Sequence, residues 1–419
     1  MDISITPAAL TGTVQAIESK SDAHRLLICA ALSNKPTKIT IKNMSRDIAA
    51  TMDCLRAMAC EIKAAGDTFT VNPLWRKTAD TPFLDCGESG STLRFLLPVA
   101  AAIYDKFKIT GSGRLPERPL DSIIRAMQAK GCVFSGERLP FQVTGGLKSG
   151  SYELPGNVSS QFISGLLFAL PLLKGGSEVV LTSPLESSAY VKMTVSTLAK
   201  FGIAITCEKD RFVIPGGKSY ISPDSVQVEG DWSNAAFWLA AGAINGQVAC
   251  AGLDLNSLQC DRRIFDLLKQ MGADTKFENG TAFVTRRELK AITLDVAQIP
   301  DLVPVVAAVM ALAKGTSVIK NARRVRFKES DRLHTIARNL NAIGADVEER
   351  EDSLVIKGKE QLNGGLVHGY NDHRIVMALA VVAGACREKL VIQGAEAIEK
   401  SYPDFFEDYN KLGGLAHVI

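Results

Sequence analysis

The chain has 419 residues, of which 46% are hydrophobic and 6% are aromatic. Its 48 basic and 45 acidic residues give a formal charge of +3, which excludes a generally polycationic surface and leaves anion binding to local clusters. The length favours two domains. The nine cysteines are scattered without metal-ligand spacing, and no basic leader or membrane-spanning apolar run is present, so we expect a cytoplasmic protein that contains no metal and binds no membrane.

In chain order, six polar turns each lead into an apolar helix, and successive turns lie about 70 residues apart, which predicts an internal repeat. Glu88 to Arg94 is the clearest of them, since small hydroxyl residues and a glycine there leave backbone N–H groups free for an anion. The bland interpretation of one such turn is an ordinary N-cap. The six predicted helix starts are marked by Lys20, Gly90, Ser160, Asp231, Asp301 and Asp372.

A short strand, an amphipathic helix and two further strands follow each apolar helix. Four amphipathic helices end at a glycine, which adopts left-handed backbone at little cost. Cys60 holds the corresponding position in the first unit. The apolar helices are hydrophobic nearly all round and must be buried, so two groups of three units, with helices inside and sheets outside, fit better than a solenoid.

The last unit has no room for its closing strands, because only about 20 residues follow Lys400. We therefore predict that the N-terminal strands complete it. One domain would then comprise residues 1–18 and 230–419, and the other residues 19–229. We expect the polar turns to line a cleft between the two domains, which would hold the active site.

Cations cluster beside these turns, and Lys328 and Arg332 lie four residues apart. On one helical face such a pair costs ~0.2–0.5 kcal/mol, and an anion between the two would reverse the sign. Asp301 and Glu329 are the carboxylates of this set, available for acid–base chemistry, although a cap or a dipole partner is the simpler role for each. His373 is left open between a structural and a functional role.

Phosphate-binding and dinucleotide fingerprints, a nucleophile elbow and metal-ligand spacing are missing from the sequence. A site rich in cations and hydroxyls with one or two carboxylates remains. This composition indicates a polyanionic small molecule and acid–base chemistry on it.

Several ordered motifs resemble the family of 5-enolpyruvylshikimate-3-phosphate (EPSP) synthases over the whole chain. Lys20 to Arg25 is similar to its Lys-Ser-x-Ser-x-Arg motif, and Glu88 to Arg94 to its Asn-Ala-Gly-Thr-x-x-Arg loop. The other matching segments are Glu117-Arg118-Pro119, Ser159 to Phe162, Pro300-Asp301, Lys328 to Arg332, Asp372 to Arg374 and Lys400 to Asp404.

The resemblance implies a two-domain inside-out α/β barrel of six βαβαββ repeats, three per domain. It also implies transfer of the enolpyruvyl group of phosphoenolpyruvate to the 5-hydroxyl of shikimate 3-phosphate, by addition and elimination, without metal or organic cofactor. Asp301 would accept the hydroxyl proton, and Glu329 with Lys20 would handle the proton at the methylene carbon. We expect a monomer with small-molecule substrates and no nucleic acid.

Binding residues are carried over from the resemblance alone. For shikimate 3-phosphate they are Lys20, Ser21, Arg25, Ser159, Ser160, Gln161, Ser187, Tyr190, Asp301 and Lys328. For phosphoenolpyruvate they are Lys20, Gly90, Arg118, Gln161, Arg332, Arg374 and Lys400. The chain departs from the family pattern at Asp22, Glu88, Ser91 and Arg324.

Three alternatives compete with this interpretation. An enolpyruvyl transferase acting on UDP-N-acetylglucosamine shares the fold, but characteristically carries a loop cysteine that residues 111–118 lack. A nucleic-acid-binding protein could use the basic stretch from Arg323 to Lys328, yet only Phe327 interleaves with those cations. A purely structural repeat protein would not need cations at six matching helix starts.

Overall fold

The computed structural model describes residues 1–74 and 81–419. Within these ranges the strands form six four-stranded sheets. The strands are β1 (Ile3–Thr6), β2 (Leu10–Gln15), β3 (Thr37–Thr40), β4 (Ile62–Ala65), β5 (Thr68–Val71), β6 (Phe83–Asp85), β7 (Lys106–Thr110), β8 (Val133–Phe134), β9 (Phe141–Thr144), β10 (Ser151–Leu154), β11 (Ser177–Leu181), β12 (Thr206–Cys207), β13 (Arg211–Ile214), β14 (Ser225–Gln227), β15 (Gly246–Ala251), β16 (Asp274–Glu278), β17 (Thr281–Thr285), β18 (Thr293–Asp295), β19 (Thr316–Lys320), β20 (Asp346–Glu349), β21 (Leu354–Lys357), β22 (Gly365–His368), β23 (Leu390–Gln393) and β24 (Leu415–Val418).

The α-helices alternate between apolar and amphipathic along the chain, as the repeat predicts. They are α1 (Lys20–Ala31), α2 (Arg46–Ala57), α3 (Gly90–Ile103), α4 (Asp121–Gln128), α5 (Ser160–Ala169), α6 (Ser188–Lys200), α7 (Trp232–Asn245), α8 (Arg263–Met271), α9 (Val303–Met310), α10 (Arg332–Ala342), α11 (His373–Val382) and α12 (Phe405–Lys411).

All six sheets share one topology, in which one parallel pair is followed by two antiparallel pairs. In the sheet β6-β7-β9-β8, for example, β6 runs parallel to β7, and β9 is antiparallel to both β7 and β8. In four of the six sheets one helix lies between the two parallel strands and is the crossover that such a pair requires. Each sheet with its two helices is therefore one βαβαββ repeat.

The chain divides into two compact units, which we name by their place in the sequence. The middle unit comprises Lys20–Val228, and the terminal unit comprises Met1–Ser19 with Glu229–Ile419. Three sheets belong to each unit. The predicted fold class, six βαβαββ repeats in two groups of three, is confirmed.

Two strands at the junctions of these units pair with repeats that are distant in sequence. Strand β14 lies parallel to β3 in the middle unit, and β2 lies parallel to β15 in the terminal unit. Strand β1 pairs with both β23 and β24. The N-terminal residues thus supply the strand that the last repeat lacks.

Each unit has its own hydrophobic core, built around its apolar helices. Helices α3 and α5 pack against one another in the middle unit, and α7, α9 and α11 pack together in the terminal unit. A Cβ on Gly165 would overlap the backbone carbonyl of Arg94, so glycine is required where α5 approaches α3. The burial explains why these helices carry almost no polar residues beyond their first turn.

The end of the first amphipathic helix differs from the prediction. The four glycines predicted at helix ends have φ angles between 76° and 105°. After α2, however, Ala59 is left-handed, with φ of 69°, and Cys60 is not. The prediction placed the turn one residue late, because alanine gives no sequence signal for a conformation that glycine usually supplies.

Candidate active site

The first two turns of α1 place two cations of the middle unit. Lys20 donates from Nζ to Asp47 Oδ2 at 2.8 Å. Arg25 donates to the carbonyl oxygens of Ser21 at 2.5 Å and Tyr190 at 2.9 Å, and to the hydroxyl of Thr194 at 2.9 Å. The structure thus brings together Ser21, Arg25 and Tyr190, three predicted site residues from two helices.

Gly90 begins α3, and two guanidinium groups converge on it. A Cβ added to Gly90 would lie 2.8 Å from Nη1 of both Arg94 and Arg118. Arg94 donates to Gln161 Oε1 at 2.8 Å, and Gln161 Nε2 donates to Ser91 Oγ at 2.8 Å. Free N–H groups at a helix start beside two guanidinium groups suit a small anion.

The starts of α5 and α6 hold the remaining predicted hydroxyls. Ser159 caps α5, with Oγ accepting from the backbone N–H of Gln161 at 3.3 Å, and Ser160 is the first helical residue. Ser187 precedes α6 in left-handed backbone with φ of 53°. A non-glycine residue held there is uncommon, and such positions cluster at functional sites.

Asp301 is the centre of the polar cluster in the terminal unit. Three cations face its carboxylate, namely Arg332 at 2.7 Å, Lys328 at 3.3 Å and Arg374 at 3.7 Å. The Asp301 side chain keeps 18% of its surface exposed. Burial opposes its ionisation, but Lys328, Arg374 and Arg332 outweigh burial and hold the pKa of the Asp301 carboxyl well below its usual range.

Arg332 joins Asp301 to two further carboxylates. Besides donating to Asp301, it donates to Glu329 Oε2 at 2.6 Å and from Nε to Asp372 Oδ2 at 2.8 Å. Its side chain is 1% exposed. Burial disfavours the charge, yet Asp372, Glu329 and Asp301 raise the pKa of Arg332 above its ordinary value. Arg332 therefore fixes both carboxylates that the sequence predicts to be catalytic.

The structure corrects the prediction for Lys328 and Arg332. A 3-10 stretch, Arg323–Phe327, ends just before Lys328, which has extended backbone, and Asp331 caps α10. The two cations do not share a helical face, so the repulsion argued from their spacing does not apply. Both instead contact Asp301, which lies in a 3-10 turn (Pro300–Leu302) rather than at the N-cap of α9.

The other predicted residues of the terminal unit lie around α11. Arg374 donates to the Asp301 carbonyl at 3.2 Å, and Lys400 donates to the Asn371 carbonyl at 2.6 Å. Asp372 caps α11, accepting from the backbone N–H of Arg374 at 3.0 Å. His373 is the first residue of this helix and is buried, and its role stays open between structure and function.

Two carboxylates beside the site residues were not predicted from the sequence. Asp47 pairs with Lys20, and the fully buried Asp261 accepts a hydrogen bond from Ser233 at 2.5 Å and lies 3.9 Å from Arg374. Burial raises the pKa of Asp261, with Arg374 opposing and Asp301 adding to the rise. Neither carboxylate belongs to a motif, although each follows a polar turn in its repeat.

The described residues, 1–74 and 81–419, contain no group of three or more His, Cys, Asp or Glu side chains that could hold a metal ion. Over the same residues, every helix is too short or too polar to cross a membrane.

The family model described as EPSP synthase (3-phosphoshikimate 1-carboxyvinyltransferase) matches residues 5–409. A 3-phosphoshikimate 1-carboxyvinyltransferase from Clostridium kluyveri is 45% identical over 98% of this chain and 97% of the relative. One from Clostridium acetobutylicum is 43% identical over 99% of this chain and 98% of the relative.

Among solved structures, an EPSP synthase from Acinetobacter baumannii covers 100% of both chains with a TM-score of 0.84 and 27% identity. The enolpyruvyl transferase NikO from Streptomyces tendae has a TM-score of 0.81 over 99% of this chain and 98% of its own. Its identity is 19%, so that likeness concerns the fold alone.

Proposed function

We propose that this chain, which belongs to the EPSP synthase (3-phosphoshikimate 1-carboxyvinyltransferase) family, transfers the enolpyruvyl group of phosphoenolpyruvate to the 5-hydroxyl of shikimate 3-phosphate. The products are 5-enolpyruvylshikimate 3-phosphate and phosphate. It is a transferase of the shikimate pathway, EC 2.5.1.19. The single observation that carries the mechanism is the convergence of Lys328, Arg332 and Arg374 on the Asp301 carboxylate.

Anion binding follows from the cations of each unit. Phosphoenolpyruvate carries a carboxylate and a phosphate, which guanidinium and ammonium groups bind through charge-assisted hydrogen bonds. We assign it to Lys20, Gly90, Arg118, Gln161, Arg332, Arg374 and Lys400. Shikimate 3-phosphate is assigned to the hydroxyls and cations of the α1, α5 and α6 starts together with Asp301 and Lys328.

Asp301 needs its neighbouring cations drawn away before it can act as a base. Held by three cations, its carboxylate binds a proton weakly, whereas an efficient general base has a pKa near the working pH. Substrate anions that bind Lys328, Arg332 and Arg374 would weaken their hold on the carboxylate. We propose that the substrate's own charge thereby raises the basicity of Asp301 as the 5-hydroxyl arrives.

Glu329 and Lys20 are proposed to handle the proton at the methylene carbon. Glu329 accepts from Arg332 at 2.6 Å and keeps 17% of its side chain exposed, so it is accessible and oriented. Lys20 is held by Asp47 in the middle unit. Protonation of the methylene carbon turns it into a methyl group and makes the neighbouring carbon electrophilic, and the deprotonated hydroxyl attacks that neighbouring carbon. Loss of phosphate together with one proton of the methyl group, returned to Glu329 or Lys20, then forms the enol ether of the product.

The prediction of an active site between the two domains stays a prediction, as do the monomeric state and the cytoplasmic location. The family acts on small molecules, and we propose no nucleic-acid or membrane partner and no cofactor for this chain.

Phosphate release tests the function directly. Phosphoenolpyruvate is supplied with either shikimate 3-phosphate or UDP-N-acetylglucosamine, with a chelator present. We expect phosphate only with shikimate 3-phosphate. Release only with the nucleotide sugar would transfer the proposal to the alternative acceptor, and release with neither would overturn it.

A further inference from the structure

A chain of buried hydrogen bonds links three helices of the middle unit. His24 Nδ1 lies 2.7 Å from Thr51 Oγ1, and Thr51 Oγ1 lies 2.6 Å from Thr92 Oγ1. Thr92 Oγ1 donates to Ser89 Oγ at 2.7 Å. All four residues are fully buried. The chain thus runs from α1, through α2, to the residue that caps α3.

The direction of the chain fixes the state of the imidazole. The hydroxyl hydrogen of Thr92 points to Ser89 Oγ at 2.7 Å, with the Asp47 carbonyl oxygen at 3.5 Å as a second acceptor. Because a hydroxyl has one hydrogen, Thr51 then donates to Thr92. The hydroxyl hydrogen of Thr51 is then used, so His24 must donate from Nδ1. A neutral Nδ1–H tautomer satisfies every step.

The surroundings of His24 favour that neutral form. Burial, with Lys20 and Arg25 adding repulsion, lowers the pKa of His24 well below its ordinary value. Its ring meets Phe95 of α3 edge to face, at 6.5 Å between centroids. His24 therefore lies beside Lys20 and Arg25 but remains uncharged itself.

Ser89 is the last residue of this series of hydrogen bonds and the one next to the proposed anion site. Its Oγ accepts from the backbone N–H of Thr92 at 3.3 Å as well as from the Thr92 hydroxyl, and Gly90 follows immediately. The orientation of the cap determines where the first N–H groups of α3 point. The guanidinium groups of Arg94 and Arg118 converge on Gly90 at the same helix start.

We propose that His24 is a positioning residue for phosphoenolpyruvate, which sets the anion-binding start of α3 through Thr51 and Thr92. This inference rests on the proposed function. The chain lets α1, which carries Lys20 and Arg25, hold the cap of α3 in one orientation before substrate arrives. Such preorganisation lowers the ordering cost that binding would otherwise incur.

Matched substitutions separate hydrogen bonding from packing. In Thr51→Val the shape is kept and the hydroxyl is lost, whereas Thr51→Ser keeps the hydroxyl. We expect Thr51→Val to raise the KM for phosphoenolpyruvate about tenfold, since a buried chain loses a link. Thr51→Ser should stay within about twofold of the wild type, and the KM for shikimate 3-phosphate should change less in both.

His24 offers a second matched pair. The amide nitrogen of asparagine superposes on Nδ1, and that of glutamine on Nε2, so His24→Asn keeps the donor and His24→Gln misplaces it. We expect His24→Asn to preserve the KM for phosphoenolpyruvate and His24→Gln to raise it about tenfold. Thermal unfolding identifies any variant that fails to fold. If His24→Gln does not fold, the nearly isosteric Thr51→Val still tests the proposal.

The outcomes distinguish the two proposals. A wild-type enzyme that releases no phosphate with shikimate 3-phosphate would end the proposed function. An active wild type together with a folded Thr51→Val variant of unchanged KM for phosphoenolpyruvate would overturn the role of His24. Equal rises in both KM values would also overturn it, because they would indicate general loosening rather than positioning.

Discussion

The polar clusters of the two units differ in how their charged groups are arranged. In the middle unit, helix starts, hydroxyls and guanidinium groups offer donors around Gly90, and the hydroxyls are ordered by neutral hydrogen bonds. In the terminal unit, Asp301, Glu329 and Asp372 surround one fully buried arginine. The middle cluster is suited to binding an anion. In the terminal cluster, a bound anion would compete with the carboxylates for the cations and so change the basicity of Asp301.

That difference sets the cost of removing a residue. A donor lost from the middle cluster weakens one contact, whereas loss of the buried Arg332 from the terminal cluster leaves three carboxylates without their shared cation, which is strongly destabilising. The largest effects are therefore expected around Arg332, and smaller ones around Gly90.

Arg332→Met should give the largest effect. It removes the cation that three carboxylates share, so we expect a loss of ~3–5 kcal/mol in the free energy of unfolding, typical of a broken buried ion pair, together with loss of activity. Urea unfolding of both proteins measures the difference. Arg350→Met, at an exposed ion pair with Glu348, is the control and should leave stability unchanged. Equal stability of Arg332→Met and wild type would contradict the description of Arg332 as the hub of this cluster.

Asp301→Ala should act on the rate rather than on the fold. Loss of a general base typically lowers turnover ~10²–10⁴-fold. Because the substitution leaves Lys328, Arg332 and Arg374 without this carboxylate, the cluster becomes more positive, so both anionic substrates should still bind although shikimate 3-phosphate loses its contact with Asp301. Steady-state kcat and KM values measure both effects, with Asp301→Asn as the variant that preserves shape.

Asp274→Ala removes an exposed strand carboxylate that pairs with Arg287 and should leave kcat unaltered. Normal turnover in Asp301→Ala would remove Asp301 from the mechanism, while a large rise in both KM values with kcat intact would make it a binding residue.

The repeat made the starts of the helices predictable from the sequence, but the side-chain contacts between helices could not be predicted. Lys20, Gly90 and Ser160 begin helices as predicted, because small polar residues before an apolar run are a local signal. The 3-10 stretch before Lys328 defeated the inference from spacing, since periodicity alone assumes a continuous helix. His24 and Asp261 passed unnoticed because a partner distant in sequence gives no local signal.

Gly90→Ala should give the smallest effect of these substitutions, and the effect should be on anion binding at the middle cluster. The added methyl would lie 2.8 Å from Nη1 of Arg94 and of Arg118. Both guanidinium groups are ends of flexible side chains, so they can move aside, and the fold should keep its stability. An anion bound there would lose part of its contact with a charged donor, worth ~1.5–3 kcal/mol, so we expect the KM for phosphoenolpyruvate to rise at least about tenfold while kcat changes little.

Gly136→Ala is the matched control for that substitution, because the nearest atom to its added methyl is 3.8 Å away. It should behave as wild type in both kinetics and unfolding. If Gly90→Ala instead lowered kcat without changing the KM for phosphoenolpyruvate, the start of α3 would contribute to the chemical step. The division between a binding cluster in the middle unit and a reactive cluster in the terminal unit would then fail, since donors at Gly90 would be stabilising charge that develops in the transition state.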